Sequence, residues 1–86
     1  MSKMIFIDTE TTSLNTNLCG MIQVAGIIDI NSEPVEEFNF YSNIFDGDEV
    51  TDEALESNKT TLEEIYQYPG PRLVFRKLLR YARQIS

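Results

Sequence analysis

The 86 residues, 42 % apolar and 24 % charged, suffice for one small globular domain spanning residues 1–86 and are not the composition of a disordered chain. Seven basic against 14 acidic side chains give a net charge of −7, which excludes non-specific attraction to nucleic acid over the whole surface. No stretch approaches the roughly 20 apolar residues that cross a bilayer. A lone cysteine, Cys19, excludes an internal disulfide and fits a reducing cytoplasm.

In chain order, "KMIFID" at 3–8 is a continuous apolar run with β-branched and aromatic members. It predicts a short strand buried on both faces. The start "MSKMIFID" carries one lysine and a short apolar run that stops at an acid, so it does not read as a secretory signal. Residues 9–20 are polar, end at Gly20 and predict a loop. "MIQVAGIIDI" at 21–30 predicts a second strand, in which Gly26 marks a bulge or the close approach of another backbone.

"NSE" at 31–33 predicts a turn. From Pro34 a third strand follows, "VEEFNFYSNIF", antiparallel to the second. The period of two puts Phe38, Phe40 and Ser42 on one face and Glu37, Asn39 and Tyr41 on the other. "TDEALESN" predicts a short helix capped by Thr51, with Asp52 and Glu53 in its first turn and Asn58 as a left-handed stop. Thr61 with Glu64 three residues on has the pattern of a capping box for a second short helix. Pro71 suits the first position of a longer third helix, in which Leu73, Val74, Leu78, Leu79, Ala82 and Ile85 recur at helical spacing. The fold class expected is α/β: a three-stranded antiparallel sheet, two short helices and one longer helix.

Charge is unevenly spread. Residues 1–64 hold all 14 acids and two bases, Lys3 and Lys59, a net of −12. Residues 65–86 hold Arg72, Arg76, Lys77, Arg80 and Arg83 and no acid, a net of +5. This asymmetry is either a basic binding surface on the last helix or the solvated face of that helix.

The chemistry-bearing stretch is "FIDTETTSL" at 6–14. Residues two apart on a strand project from one face, about 6.5–7 Å apart along the backbone, so Asp8 and Glu10 point together. Two like charges side by side call for a cation, a proton or open water. An oxygen-rich pair suits a hard ion such as Mg²⁺ or Mn²⁺, and two such ions about 3.5–4 Å apart are the usual device for cutting a phosphodiester. The same residues also read as a plain strand exit with a capped turn. Cys19, with no second thiol and no histidine in the chain, reads as an incidental loop residue. Tyr66 and Tyr68 would either stack on bases or pack the helix junction beside Pro69.

"FIDTETTSLN" resembles the first motif of the DEDD-type 3′–5′ exonucleases, which include the proofreading epsilon subunit of bacterial DNA polymerase III and phage and bacterial relatives. "MIQVAGIIDI", "EEFNFYSNIF", "VTDEALESN" and "TLEEIYQYP" follow in the order expected of that family, so the resemblance covers nearly the whole chain. It implies a ribonuclease-H-like fold, of which this is the N-terminal part. It implies Asp8 and Glu10 as catalytic metal ligands for Mg²⁺ or Mn²⁺. It places Thr11 and Thr12 beside the 3′ end of a single-stranded nucleic acid and Leu14 against its terminal base. Without the resemblance, the two threonines read as a turn satisfying nearby backbone and Leu14 as a loop anchor. Gln23 matches a common family position and reads as a strand-facing hydrogen-bonding group. Ser13 stands where the family usually has glycine.

The family's other two carboxylates and its general base normally follow on later elements. No "Asn-x-x-Phe-Asp" pattern occurs here, the chain has no histidine, and Asp29, Asp46, Asp48 and Asp52 precede the expected helix. The sequence therefore carries half of a two-metal nuclease site, with hydrolysis expected only if a second polypeptide completes the site and the sheet. The alternative is a non-enzymatic nucleic-acid- or protein-binding module on the same fold.

Overall fold

Asn31 and Ser32 both adopt positive φ, 55° and 68°, and this reverses the chain within two residues. That is the geometry of a tight hairpin whose twist matches the strands it joins. The hairpin links β2 (Met21–Ile30) to β3 (Glu33–Tyr41), and β2 also pairs antiparallel with β1 (Lys3–Thr11). The sheet order is β1-β2-β3. Three helices follow: α1 (Asp52–Ser57), α2 (Leu62–Tyr66) and α3 (Pro71–Arg83). This computed structural model describes residues 2–15 and 17–83. Gln84 and Ile85, expected to continue the last helix, lie outside the described residues.

The core lies on one face of the sheet. Val24 and Ile28 of β2, Phe38 of β3 and Val74 of α3 are buried together, with Ile5, Ile30, Phe40, Leu78 and Tyr81 packed around them. The alternation of β3 runs as expected, with Phe38 buried and Phe40 half-buried while Glu37, Asn39 and Tyr41 are exposed. Tyr81 stacks on the Phe38 ring at 4.7 Å, and the Lys77 ammonium lies 5.8 Å over the Phe40 ring. Gly26 is the close approach the sequence suggested. A Cβ there would collide with the Phe38 ring and sit 2.8 Å from the Phe6 carbonyl oxygen. The bulge of the β2–β3 pair falls elsewhere, at Ile28/Asp29.

Four expectations need correction. β1 runs on to Thr11, so residues 9–11, read as loop, belong to the strand. β1 is also not buried on both faces: Met4, Phe6 and Ile7 are each about half exposed. The reason is position, since β1 is an edge strand and the buried cluster centres on β2, β3 and α3. β3 ends at Tyr41 rather than near Phe45: the Ser42 N–H still donates to the Ile22 carbonyl of β2 at 2.9 Å, but the next amide, Asn43, turns to the Pro69 carbonyl at 2.9 Å. The left-handed residue after α1 is Lys59, φ 53°, not Asn58.

The caps are mostly as read. The Thr51 hydroxyl accepts from the Ala54 N–H at 3.2 Å, and the Thr61 hydroxyl accepts from the Glu64 N–H at 3.2 Å. Glu64 turns its carboxylate to the Thr60 hydroxyl, 2.8 Å, which leaves the reciprocal half of the capping box unmade. Pro71 opens α3.

Candidate functional site

Cross-strand partners fix which way the two carboxylates point. Ile5 pairs with Ile28 and Thr9 with Val24, so odd-numbered β1 residues share the α3 face. Asp8 pairs with Ala25 and Glu10 with Gln23, so both acids project from the opposite face and are exposed. The strand period thus keeps them together and away from the core. Beside them Gln23 donates its side-chain amide to Asn39 Oδ1 at 3.0 Å, the strand-facing role expected of it.

Glu10 borders two clefts. One, of about 290 Å³, lies between the end of β1 and α1 and is lined by Thr9, Glu10, Thr11, Leu14, Ala54 and Asn58 among others. The other, of about 220 Å³, lies against Gln23, Tyr41, Lys59, Thr60 and Tyr68. Leu14 is 95 % exposed at the rim of the first. Asp8 faces a shallow hollow lined by Phe6, Ala25, Ile27 and Glu37.

The loop after β1 is held by buried polar groups. Thr12 is fully buried. Its hydroxyl donates to the Glu49 carbonyl at 2.5 Å and accepts from the Gly20 N–H at 2.8 Å. The Thr12 carbonyl in turn accepts from the Thr51 N–H at 2.8 Å, which ties the loop to the start of α1. The resemblance places the Thr12 side chain beside a nucleic-acid end; in the structure that hydroxyl is committed to the fold. Thr11 is half-buried, its hydroxyl donating to the Ser13 carbonyl at 3.2 Å. Ser13 needs no positive φ, and its hydroxyl donates to Glu49 Oε2 at 2.5 Å.

Two residues at the site were not singled out as site residues in the sequence. Asn58 donates its side-chain amide to the Thr11 carbonyl at 3.0 Å. Lys59 lines the second cleft with Glu10 and brings a positive charge to its border. Asn58 carried a sequence signal only for helix termination, and nothing in the sequence pointed to Lys59. Tyr68 packs on Tyr41, ring centroids 5.2 Å apart, whereas Tyr66 is 61 % exposed. Cys19 is half-buried with a free thiol, in an isolated bridge to Glu49.

Two oxygen-donor side chains on one solvent-open face fit a hard divalent cation in chemistry. Among the described residues, no group of three or more histidine, cysteine, aspartate or glutamate side chains comes together to hold one. Nor is any described helix long and apolar enough to cross a membrane.

Comparison with known proteins agrees with this architecture. A family model described as "Exonuclease" matches residues 5–86. No curated protein matches. Among solved structures, the crystal structure of cell-death related nuclease 4 superposes with a TM-score of 0.73 at 20 % identity, covering 98 % of this chain and 31 % of that one. The shared fold is ribonuclease-H-like, and this chain spans about a third of that nuclease's length.

Proposed function

The chain belongs to the exonuclease family, and from that premise we propose that Asp8 and Glu10 hold a divalent cation at the 3′ end of a single-stranded nucleic acid whose terminal phosphodiester is hydrolysed. The observation that carries this reading is their placement. Both acids stand on one exposed face of β1, and Glu10 opens directly onto the cleft rimmed by Leu14. Mg²⁺ or Mn²⁺ held there would polarise a water and take up charge on the leaving oxygen.

The chain's own residues do the positioning. Leu14 offers an apolar surface to the terminal base. Thr11 lines the same cleft, and Thr12 shapes the loop from within. Lys59 supplies the positive charge nearest Glu10's second cleft and suits a phosphate. Two carboxylates without a general base leave the chemistry unfinished, and groups that act as a unit lose far more than a proportional share when one is missing. Hydrolysis therefore needs further acids and a base beyond Asp8 and Glu10. A reducing, cytoplasmic setting fits the free Cys19 thiol.

A second reading has its own observation. Arg72, Arg76 and Arg80 lie exposed along α3, on the side of the sheet opposite Asp8 and Glu10. They suit a non-enzymatic module that binds an acidic protein or nucleic acid there. Reversing Arg76 and Arg80 to glutamate separates the two readings, since it abolishes binding in the second and spares the carboxylate site in the first.

The test is binding of a fluorescent single-stranded oligonucleotide with a free 3′ hydroxyl in Mn²⁺. Binding that needs Mn²⁺ and is lost in Asp8→Ala supports the cation site. Equal binding by the two proteins overturns it.

A further inference from the structure

The inner side of α3 is taken up by the fold. Val74 is buried in the core, and Lys77 and Tyr81 turn toward Phe40 and Phe38. Arg76 follows Val74 by two residues, about 200° around the helix, and so faces away from the sheet. Arg72 and Arg80, four residues to either side, lie on the same ridge, and all three are exposed. Each step along that ridge rises about 6 Å, four residues at about 1.5 Å each. That is close to the step between successive phosphates of an extended nucleic-acid strand. Each guanidinium presents a planar fork of donors suited to phosphate oxygens.

The row works against the helix that carries it. Like charges four residues apart repel. Arg72 stands in the first turn, where the helix dipole favours an acid, and α3 contains no acid to neutralise any of the three. Solvation alone would be served as well by mixed charges. A second ridge runs alongside. Phe75 and Leu79, also four apart, each precede an arginine of the row by one residue and are 45 % and 52 % exposed. A basic ridge beside an apolar one matches a single strand, whose phosphates lie along one edge and whose bases offer flat apolar faces along the other. A duplex keeps those faces inside, and an acidic segment of protein carries its charges without them.

We infer that the outer face of α3 binds single-stranded nucleic acid, with phosphates on Arg72, Arg76 and Arg80 and bases against Phe75 and Leu79. Resting on the second reading, this assignment narrows its partner from an acidic protein or nucleic acid to a single strand, and it needs neither a cation nor a 3′ end. The sheet lies between α3 and the two acids Asp8 and Glu10, so the nucleotides held here are not those at the carboxylates.

The test uses a fluorescent oligothymidylate of about twelve nucleotides, blocked at its 3′ end by phosphate, in EDTA. We expect saturable binding that weakens about twenty-fold between about 50 and about 200 mM salt, as three phosphate contacts to a single strand require. Arg76→Gln with Arg80→Gln should weaken it at least about ten-fold, while the melting temperature holds or rises because repulsion within the row is relieved. A strand of the same length without bases should bind at least about five-fold more weakly, since stacking on Phe75 is lost. No binding by the folded chain, equal binding by the glutamine variant, equal binding of the base-free strand, or loss in Asp8→Ala would each overturn the inference. Polyglutamate that displaces the oligonucleotide as well as an unlabelled copy does would overturn it too, yet leave the second reading standing. Mn²⁺-dependent binding at the higher salt reads the cation site separately, so failure here is distinguishable from failure there.

Discussion

The side-chain amide of Asn58 donates to the main-chain carbonyl of Thr11 at 3.0 Å, across 47 residues of sequence. It joins the end of α1 to the last residue of the strand that bears Asp8 and Glu10, and so sets the width of the cleft that Glu10 shares with Leu14. Asn58→Ala removes the donor and leaves a part-buried carbonyl unpaired. We expect a loss of about 1 kcal/mol in urea denaturation, or about 4–8 °C in melting temperature for a domain of this size.

Thr12 and Thr11 are neighbours with different duties. Thr12→Val keeps the shape and deletes the buried hydroxyl, which leaves the Gly20 N–H without its bond to that oxygen. The expected cost is about 1–3 kcal/mol. Thr11→Val deletes a single bond to the Ser13 carbonyl, and the expected cost is within about 1 kcal/mol. Denaturation of the two variants side by side checks the assignment, and equal costs would contradict a structural role confined to Thr12.

Gly26→Ala forces a methyl into the Phe38 ring and toward the Phe6 carbonyl. The expected destabilisation is about 1–3 kcal/mol. Phe38→Leu should cost less in the Gly26→Ala background than alone, because the smaller side chain relieves the clash. A double-mutant cycle measures that coupling.

Much of this could be read from residue types and spacing, because it is local. Thr51, Thr61 and Pro71 announce their helices within a turn, and the alternation about Phe38 and Phe40 reveals the inward face of β3. The carboxylate pair was legible for the same reason, since a period of two needs only residues 8 and 10. What stayed hidden depends on distant partners. Thr12 is buried by Glu49, 37 positions away, and no local signal marks it. The apolar run Met4–Ile7 reads as interior, yet its exposure is decided by its place at the edge of the sheet. Lys59 rather than Asn58 takes the left-handed position because the Asn58 N–H still bonds the Ala54 carbonyl as the cap of α1, and the reversal falls one residue later, with Lys59 and Thr60 donating to Glu56 and Leu55.

A cation bound only by the folded chain raises its stability by mass action. Mn²⁺ at about ten times its dissociation constant should add about 1.4 kcal/mol, or about 6–11 °C in melting temperature. Glu10→Gln should lose most of that gain while melting normally without metal. Thermal melts with and without Mn²⁺ read both effects.

The most direct measurement is calorimetric titration of Mn²⁺ into the protein and into Asp8→Ala and Glu10→Ala. The placement of the two acids on one exposed face of β1 leads us to expect saturable binding, weakened about ten-fold or more by either substitution as a charged ligand is lost. Titration curves unchanged by both substitutions would contradict the assignment of Asp8 and Glu10 as the cation site.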